Sequence, residues 1–266
     1  MSRIMLCTVA AIMIATIGVN EVKADSSLLT GLVLNIQPRD LRGTATNRFA
    51  INEPVWLSVA LQNTSSVPIS LWVDHDEGRG LTCQPAHGYE ARATMIPRDI
   101  PLERNFKHLV LDSGEEIRID VPISEFFRVQ EEGAFFVACE MGVKDDKEKF
   151  ITVNAVGGLQ FTNGLKAQEI SMLVDQLQEQ FDSGDEDTRV RMVKSSGSCP
   201  PSAVMEFLAK ALSDKSERVQ LAAVEVLSSM SRPKERVLPL LQKAAKSADK
   251  SVRRRAKMAV ERRQGR

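Results

Sequence analysis

The sequence is poor in the groupings that usually carry catalysis. It has three histidines and no HExxH, no GxSxG elbow and no paired CxxC, and Gly157-Gly158 is not followed by the Lys-Ser/Thr of a phosphate loop. These absences remove the commonest zinc-hydrolase, serine-hydrolase and nucleotide-binding readings. Beyond Val19 no apolar run approaches the roughly 20 residues that a membrane-spanning helix needs. An excess of either charge is also lacking, with 35 Lys/Arg against 35 Asp/Glu. Hydrophobic residues make up 43%, enough to build a real core.

What is present begins with an address. Residues 1–24 have the layout of a cleaved secretory signal: Arg3, an apolar run from Ile4 to Val19, and the small-residue exit Val22-Lys23-Ala24. The expectation is a secreted or periplasmic protein with no membrane span after cleavage. Cys83, Cys139 and Cys199 survive that cleavage, and their spacing fits no metal-ligand pattern. In an oxidising compartment one bridge and one free thiol is the simplest arrangement, and Cys83 with Cys139 is the pair expected to close.

From Ser27 to about Val156 the hydrophobic period is two. Val55, Leu57, Val59 and Leu61 share one face of VWLSVALQ, with Ser58 and Gln62 expected on a wet face. ISLWVD, EEIRIDVPI and GAFFVACEM repeat the alternation, and TGLVLNI, a piece at 81–83 and KFITVN are weaker candidates. Short strands separated by turn signals predict an antiparallel β-sandwich over residues 25–156. NEPVWLSVALQNTSS, LDSGEEIRIDVPI and EEGAFFVACEM in that order resemble the bacterial immunoglobulin-like domains. The VWLSVALQ strand has no cysteine, so the antibody-type inter-sheet bridge is not available. Trp56 and Trp72 read as packing or edge aromatics. Asn63-Thr64-Ser65 matches a glycosylation acceptor.

Residues 157–164, rich in glycine, read as a linker. Beyond them the period becomes helical and the chain repeats itself at an offset of 33. Val204 aligns with Val237, Leu208 with Leu241, Ala211 with Ala244, Val219 with Val252, and Ala223 with Ala256. Ser216 and Asp249 each stand three residues before the valine that opens a second helix, where an oxygen can cap free N–H groups; Asp187 stands likewise before Val190. Three helix pairs are therefore predicted, at about 165–197, 200–231 and 233–263. The DxxVR pattern of Asp187…Val190-Arg191 and Asp249…Val252-Arg253, with Pro239 near the start of its helix, resembles a HEAT-type helical repeat. Ser216 and Gln220 depart from that pattern in the middle unit. The resemblance implies a short α-solenoid over residues 165–266, stacked on nearest neighbours.

From Pro233 onward 12 Lys/Arg face 3 Asp/Glu, and DKSVRRRAKMAVERR at 249–263 looks at first like a nucleic-acid-binding helix. Export argues against nucleic acid. Val252, Ala256, Ala259 and Val260 form one narrow apolar face, which leaves Arg254, Lys257 and Arg262 pointing elsewhere as the candidate contacts for an acidic protein partner. The richest chemical cluster is WVDHDEGRGLTCQPAHGYE, gathering Asp74, His75, Asp76, Glu77, Cys83 and His87. Its composition is also that of an ordinary exposed turn. The sequence thus predicts an exported, non-catalytic protein-binding or scaffold protein without metal, cofactor or nucleic-acid partner. A proteinase inhibitor or accessory module, and a metal-dependent enzyme centred on the 74–87 loop, are the alternatives.

Overall fold

A computed structural model describes residues 31–74, 80–96, 106–230 and 234–264. The expected signal segment, together with His75, Asp76 and Glu77, lies outside the described residues. A β-rich N-terminal region is followed by a helical C-terminal region with six α-helices among the described residues.

The strands are β1 (Leu32–Arg39), β2 (Arg48–Ala50), β3 (Trp56–Asn63), β4 (Ile69–Val73), β5 (Leu81–Pro85), β6 (Ala93–Met95), β7 (Lys107–Leu111), β8 (Glu116–Pro122), β9 (Phe127–Val129), β10 (Gly133–Lys144) and β11 (Phe150–Thr162). They form a sheet in the order β1-β3-β8 and a second in the order β2-β11-β10-β4-β7, with β5 also on β10; β6 and β9 make a separate pair. Alternation sets which side chains turn inward. Leu34 and Ile36 of β1, Leu57, Val59 and Leu61 of β3, and Phe135, Val137 and Met141 of β10 meet in one apolar cluster shared by the two larger sheets. Cys83 and Cys139 are direct partners in the β5–β10 register, with Cα atoms 4.2 Å apart, and form a disulfide inside that cluster. The short strands β2, β6, β7 and β9 are the ones that periodicity did not single out, because three to five residues carry too little pattern.

Two expectations are corrected here. The far face of β3 is not wet at its start: Trp56 is 4% and Ser58 3% exposed, since the helical region covers that side of the sheet, while Gln62 farther along is half-buried. The glycine-rich stretch is not a linker through most of its length, because β11 runs on to Thr162. Gly157 serves packing instead: a Cβ there would lie 3.1 Å from the Ile36 side chain. The true connection is Asn163 to Lys166, and it is tied down by the Leu165 N–H donating to the Ile51 carbonyl at 3.1 Å.

The helices are α1 (Ala167–Ser183), α2 (Glu186–Ser195), α3 (Pro201–Ala211), α4 (Glu217–Ser229), α5 (Lys234–Ala244) and α6 (Lys250–Arg263). They pair as α1 with α2, α3 with α4 and α5 with α6; α2, α4 and α6 then stack in one layer, and α1, α3 and α5 in the other. Positions 33 residues apart do the same work. Val204 and Val237, Leu208 and Leu241, Val219 and Val252, and Ala223 and Ala256 are all buried in one core. Ser216 accepts from Val219 N and Asp249 from Ser251 N and Val252 N, as caps. In the first unit the cap is Asp185, which accepts from Thr188 N at 2.8 Å, and not Asp187. Helix α2 starts one residue before Asp187, whose carboxylate is engaged by Arg218 at 2.7 Å.

The middle unit's departure proves conservative in effect. Arg253 donates to the Ser247 carbonyl, and Gln220, at the same place in its unit, donates to the Asp214 carbonyl at 2.7 Å. Neighbouring units are also tied by Arg189–Asp214 at 3.0 Å, Arg218–Glu186 at 2.8 Å and Arg255–Glu225 at 3.3 Å.

Candidate functional site

The basic helix α6 separates into two sets of cations. Arg253 is bound to the carbonyls of Ser247 and Ala248. Arg255 reaches Glu225, and Arg263 donates to the Leu227 carbonyl at 2.8 Å and to that of Met230, so it holds the carboxyl-terminal carbonyls of α4. Burial lowers the Arg263 pKa from the ordinary arginine value. Arg254, Lys257 and Arg262 are exposed, as is Lys250. At about 100° per residue, Lys250, Arg254 and Lys257 centre the side opposite Val252, Ala256 and Ala259, while Arg262 stands to one flank.

A second concentration of charge joins the two regions. Trp56 on β3 donates its indole N–H to Ser195 Oγ of α2 at 2.9 Å, and both groups are buried. The Arg191 guanidinium lies over the same ring, 4.4 Å from its centroid, and 4.0 Å from Asp120 of β8. Lys194 pairs with Glu125 at 3.0 Å, and Gly197 leaves room for Ser124. Desolvation lowers the Arg191 pKa, with Asp120 opposing it. This seam runs through α2 and the 3-10 turn Ser196–Ser198, whereas α1 carries the exposed Met172. Leu41, between β1 and β2, packs into the helical core from the same side. Beside the seam a cavity of about 40 Å³ is lined by Glu53, Ser124, Arg128 and Ser198 among others. Burial raises the Glu53 carboxyl above its usual range.

The 72–90 stretch does not gather as a ligand set in what is described of it. Cys83 is spent in its disulfide, Asp74 is buried, and His87 is exposed next to Glu90 at 3.4 Å. No group of three or more potential metal ligands occurs among the described residues. Cys199 is buried and its thiol is pushed up to about 12 by burial, which keeps it in the unreactive form. Asn63 is fully buried and its amide donates to the carbonyls of Val67 and Leu111, so the glycosylation triplet has no accessible nitrogen in the fold.

One further cluster carries no signal in the sequence, because its members lie 38 and 76 residues apart. Ser70 Oγ lies 2.8 Å from His108 Nε2 and donates to Asp146 Oδ1 at 2.6 Å. The residue types are those of a nucleophilic triad, but the connectivity is not. In a triad the acid holds the other imidazole nitrogen and the serine is free to attack. Here the carboxylate oxygen lies 3.9 Å from Nε2, the nitrogen that faces the serine, and itself accepts the serine's hydrogen bond.

Residues 171–261 match the family of HEAT repeats, covering α1 from Ser171 through most of α6. No curated protein matches the chain. Among solved structures, a β-glucosidase from Listeria innocua in complex with glucose is 16% identical over 51% of this chain, with a TM-score of 0.23. A Bacteroides uniformis β-glucuronidase is 10% identical over 88% of this chain, with a TM-score of 0.24. The chain spans 17% of the first enzyme's length and 32% of the second's. Likenesses at that level carry no argument about what this chain does. No described helix is long and apolar enough to cross a membrane.

Proposed function

We propose that this chain is an exported, non-catalytic scaffold in which an immunoglobulin-like β-sandwich carries a short HEAT-type α-solenoid, and that the exposed side of α6 takes an acidic protein segment. The HEAT match and the two stacked helix layers support the solenoid, since repeats of this kind commonly mediate protein interactions. Two sheets, β1-β3-β8 and β11-β10-β4-β7, closing on one core support the sandwich. The Cys83–Cys139 bond suits an oxidising compartment, and the signal-like amino terminus agrees with it.

One observation carries the partner site. Arg253, Arg255 and Arg263 are engaged in holding the repeats together, whereas Lys250, Arg254 and Lys257 crowd the side that the fold does not use. Charge reversal at Lys250, Arg254 and Lys257 should leave the far-UV spectrum and melting temperature within error of the parent. Retention on immobilised poly-glutamate should fall, and the parent's own retention should weaken as salt rises. Retention by the triple variant equal to the parent's would remove the site.

A further inference from the structure

The outward face of the larger sheet bears a row that neither the repeats nor the basic helix explains. In the strand register Phe150 of β11 stands opposite Lys144 of β10, Lys144 opposite Trp72 of β4, and Trp72 opposite His108 of β7. Four strands at about 4.8 Å spacing make this row about 14 Å long. Its apolar members are open to solvent: Trp72 is 37% exposed, Phe150 48% and, one rank along, Val110 53%. They are also held in place. The Trp72 and His108 rings lie 5.0 Å apart, Phe150 sits over Gly142 where a Cβ would collide with it, and Lys144 Nζ lies 4.5 Å from the ring centroid of Phe106. Immediately beside the row stand Ser70 and Asp146, with Ser70 linked both to His108 of the row and to Asp146.

We propose that this face is a binding platform for a β-linked glycan. A pyranose in such a polymer is flat, with apolar C–H groups on its two faces and hydroxyls around its rim. Rings exposed in a row offer the faces a surface to stack on, and Ser70, His108 and Asp146 offer the rim donors and acceptors together. The charges nearly balance, with Lys144 against Asp146, so the face has no attraction for a polyanion. The row lies on the side-chain face of the sheet, with the Trp72 and His108 rings inclined at 55°, whereas an extended peptide would be recognised through the backbone of an edge strand such as β7. The platform is separate from α6, so the two sites stand or fall independently.

The full chain, purified with its disulfide intact, would be sedimented with insoluble cellulose and with chitin. The expected result is retention on at least one polymer that persists at high salt. Trp72→Ala should lose that retention by about tenfold or more, and Phe150→Ala should weaken it. Met258→Ala, which removes an exposed apolar residue elsewhere, and the charge-reversed α6 variant should bind as the parent does. Because Trp56 is buried, matching soluble hexasaccharides should shield the emission of Trp72 alone from acrylamide. Failure of the parent to bind either polymer, or equal retention by Trp72→Ala, would overturn the proposal. So would a dimer in sedimentation velocity that Trp72→Ala dissociates, which would give the face to a second copy of this chain.

Discussion

A single side chain, Trp56, shows how much of this molecule turns on individual contacts. Its ring is buried between the sheet and α2, its N–H is used by Ser195, and its π face carries Arg191. Nε and Nη2 of Arg191 are buried without a hydrogen-bond partner in the protein, so the ring and Asp120 bear the cost of holding that charge away from water. Trp56→Phe keeps most of the apolar volume but strands the Ser195 hydroxyl. It should lower stability by about 1–3 kcal/mol, read as a shift in urea midpoint at unchanged slope. Adding Ser195→Ala should recover part of that loss, because both partners of the bond are then gone. If the two substitutions prove simply additive, the bond contributes nothing. The sequence could not have revealed this pair, whose members lie 139 residues apart. It could tell that Trp56 packs, but not against what.

Elements were far more legible than contacts. The offset of 33 located the helix pairs because each helix must bury one narrow stripe, and those stripes recur as Val204 and Val237 or Ala223 and Ala256. Strands β3, β8 and β10 were legible for the same reason, at a period of two. Failure came where one signal serves two ends. Gly157 breaks periodicity in a strand as it would in a linker, and only the approach of Ile36 distinguishes them. The wet face assigned to β3 failed because a strand's second face is defined by whatever covers it. At the basic end, the helical stripe correctly left Arg254, Lys257 and Arg262 outside, but the tasks of Arg255 and Arg263 depend on the neighbouring unit.

The ties between helices also set a pH response. The Asp182 carboxyl is lowered from 3.8 chiefly by its hydrogen bond from Lys210, Asp185 from 3.8 by Thr188, and Glu186 from 4.5 by Ser216 and then Arg218. A carboxyl whose pKa is lower when folded stabilises the fold above its unfolded value. That contribution disappears as pH falls through the folded value. Glu53 works in the opposite sense: its folded pKa is raised by burial, so protonating it favours the folded state. Helicity should therefore hold steady from neutrality to about pH 5 and decline below about pH 4, with the lowered carboxyls dominating. Glu186→Gln should flatten part of that decline in urea midpoints taken across the range; an unaltered slope would mean that its ion pair is idle.

At the scale of the whole molecule, the β and helical regions form a continuous body rather than two parts on a tether. The connection is only Asn163 to Lys166, and Leu41 from the sheet side is built into the helical core. Strand β3 is central to this arrangement. It has β1 on one edge and β8 on the other, the shared β core on one face and α2 with its following turn on the other. A backbone enclosed on four sides can trade its protons with solvent only when the whole protein opens. In heavy water, the amides of Leu57 to Leu61 should be the last to take up deuterium, with rates that track global unfolding, while those of α1 exchange through cheaper, local openings.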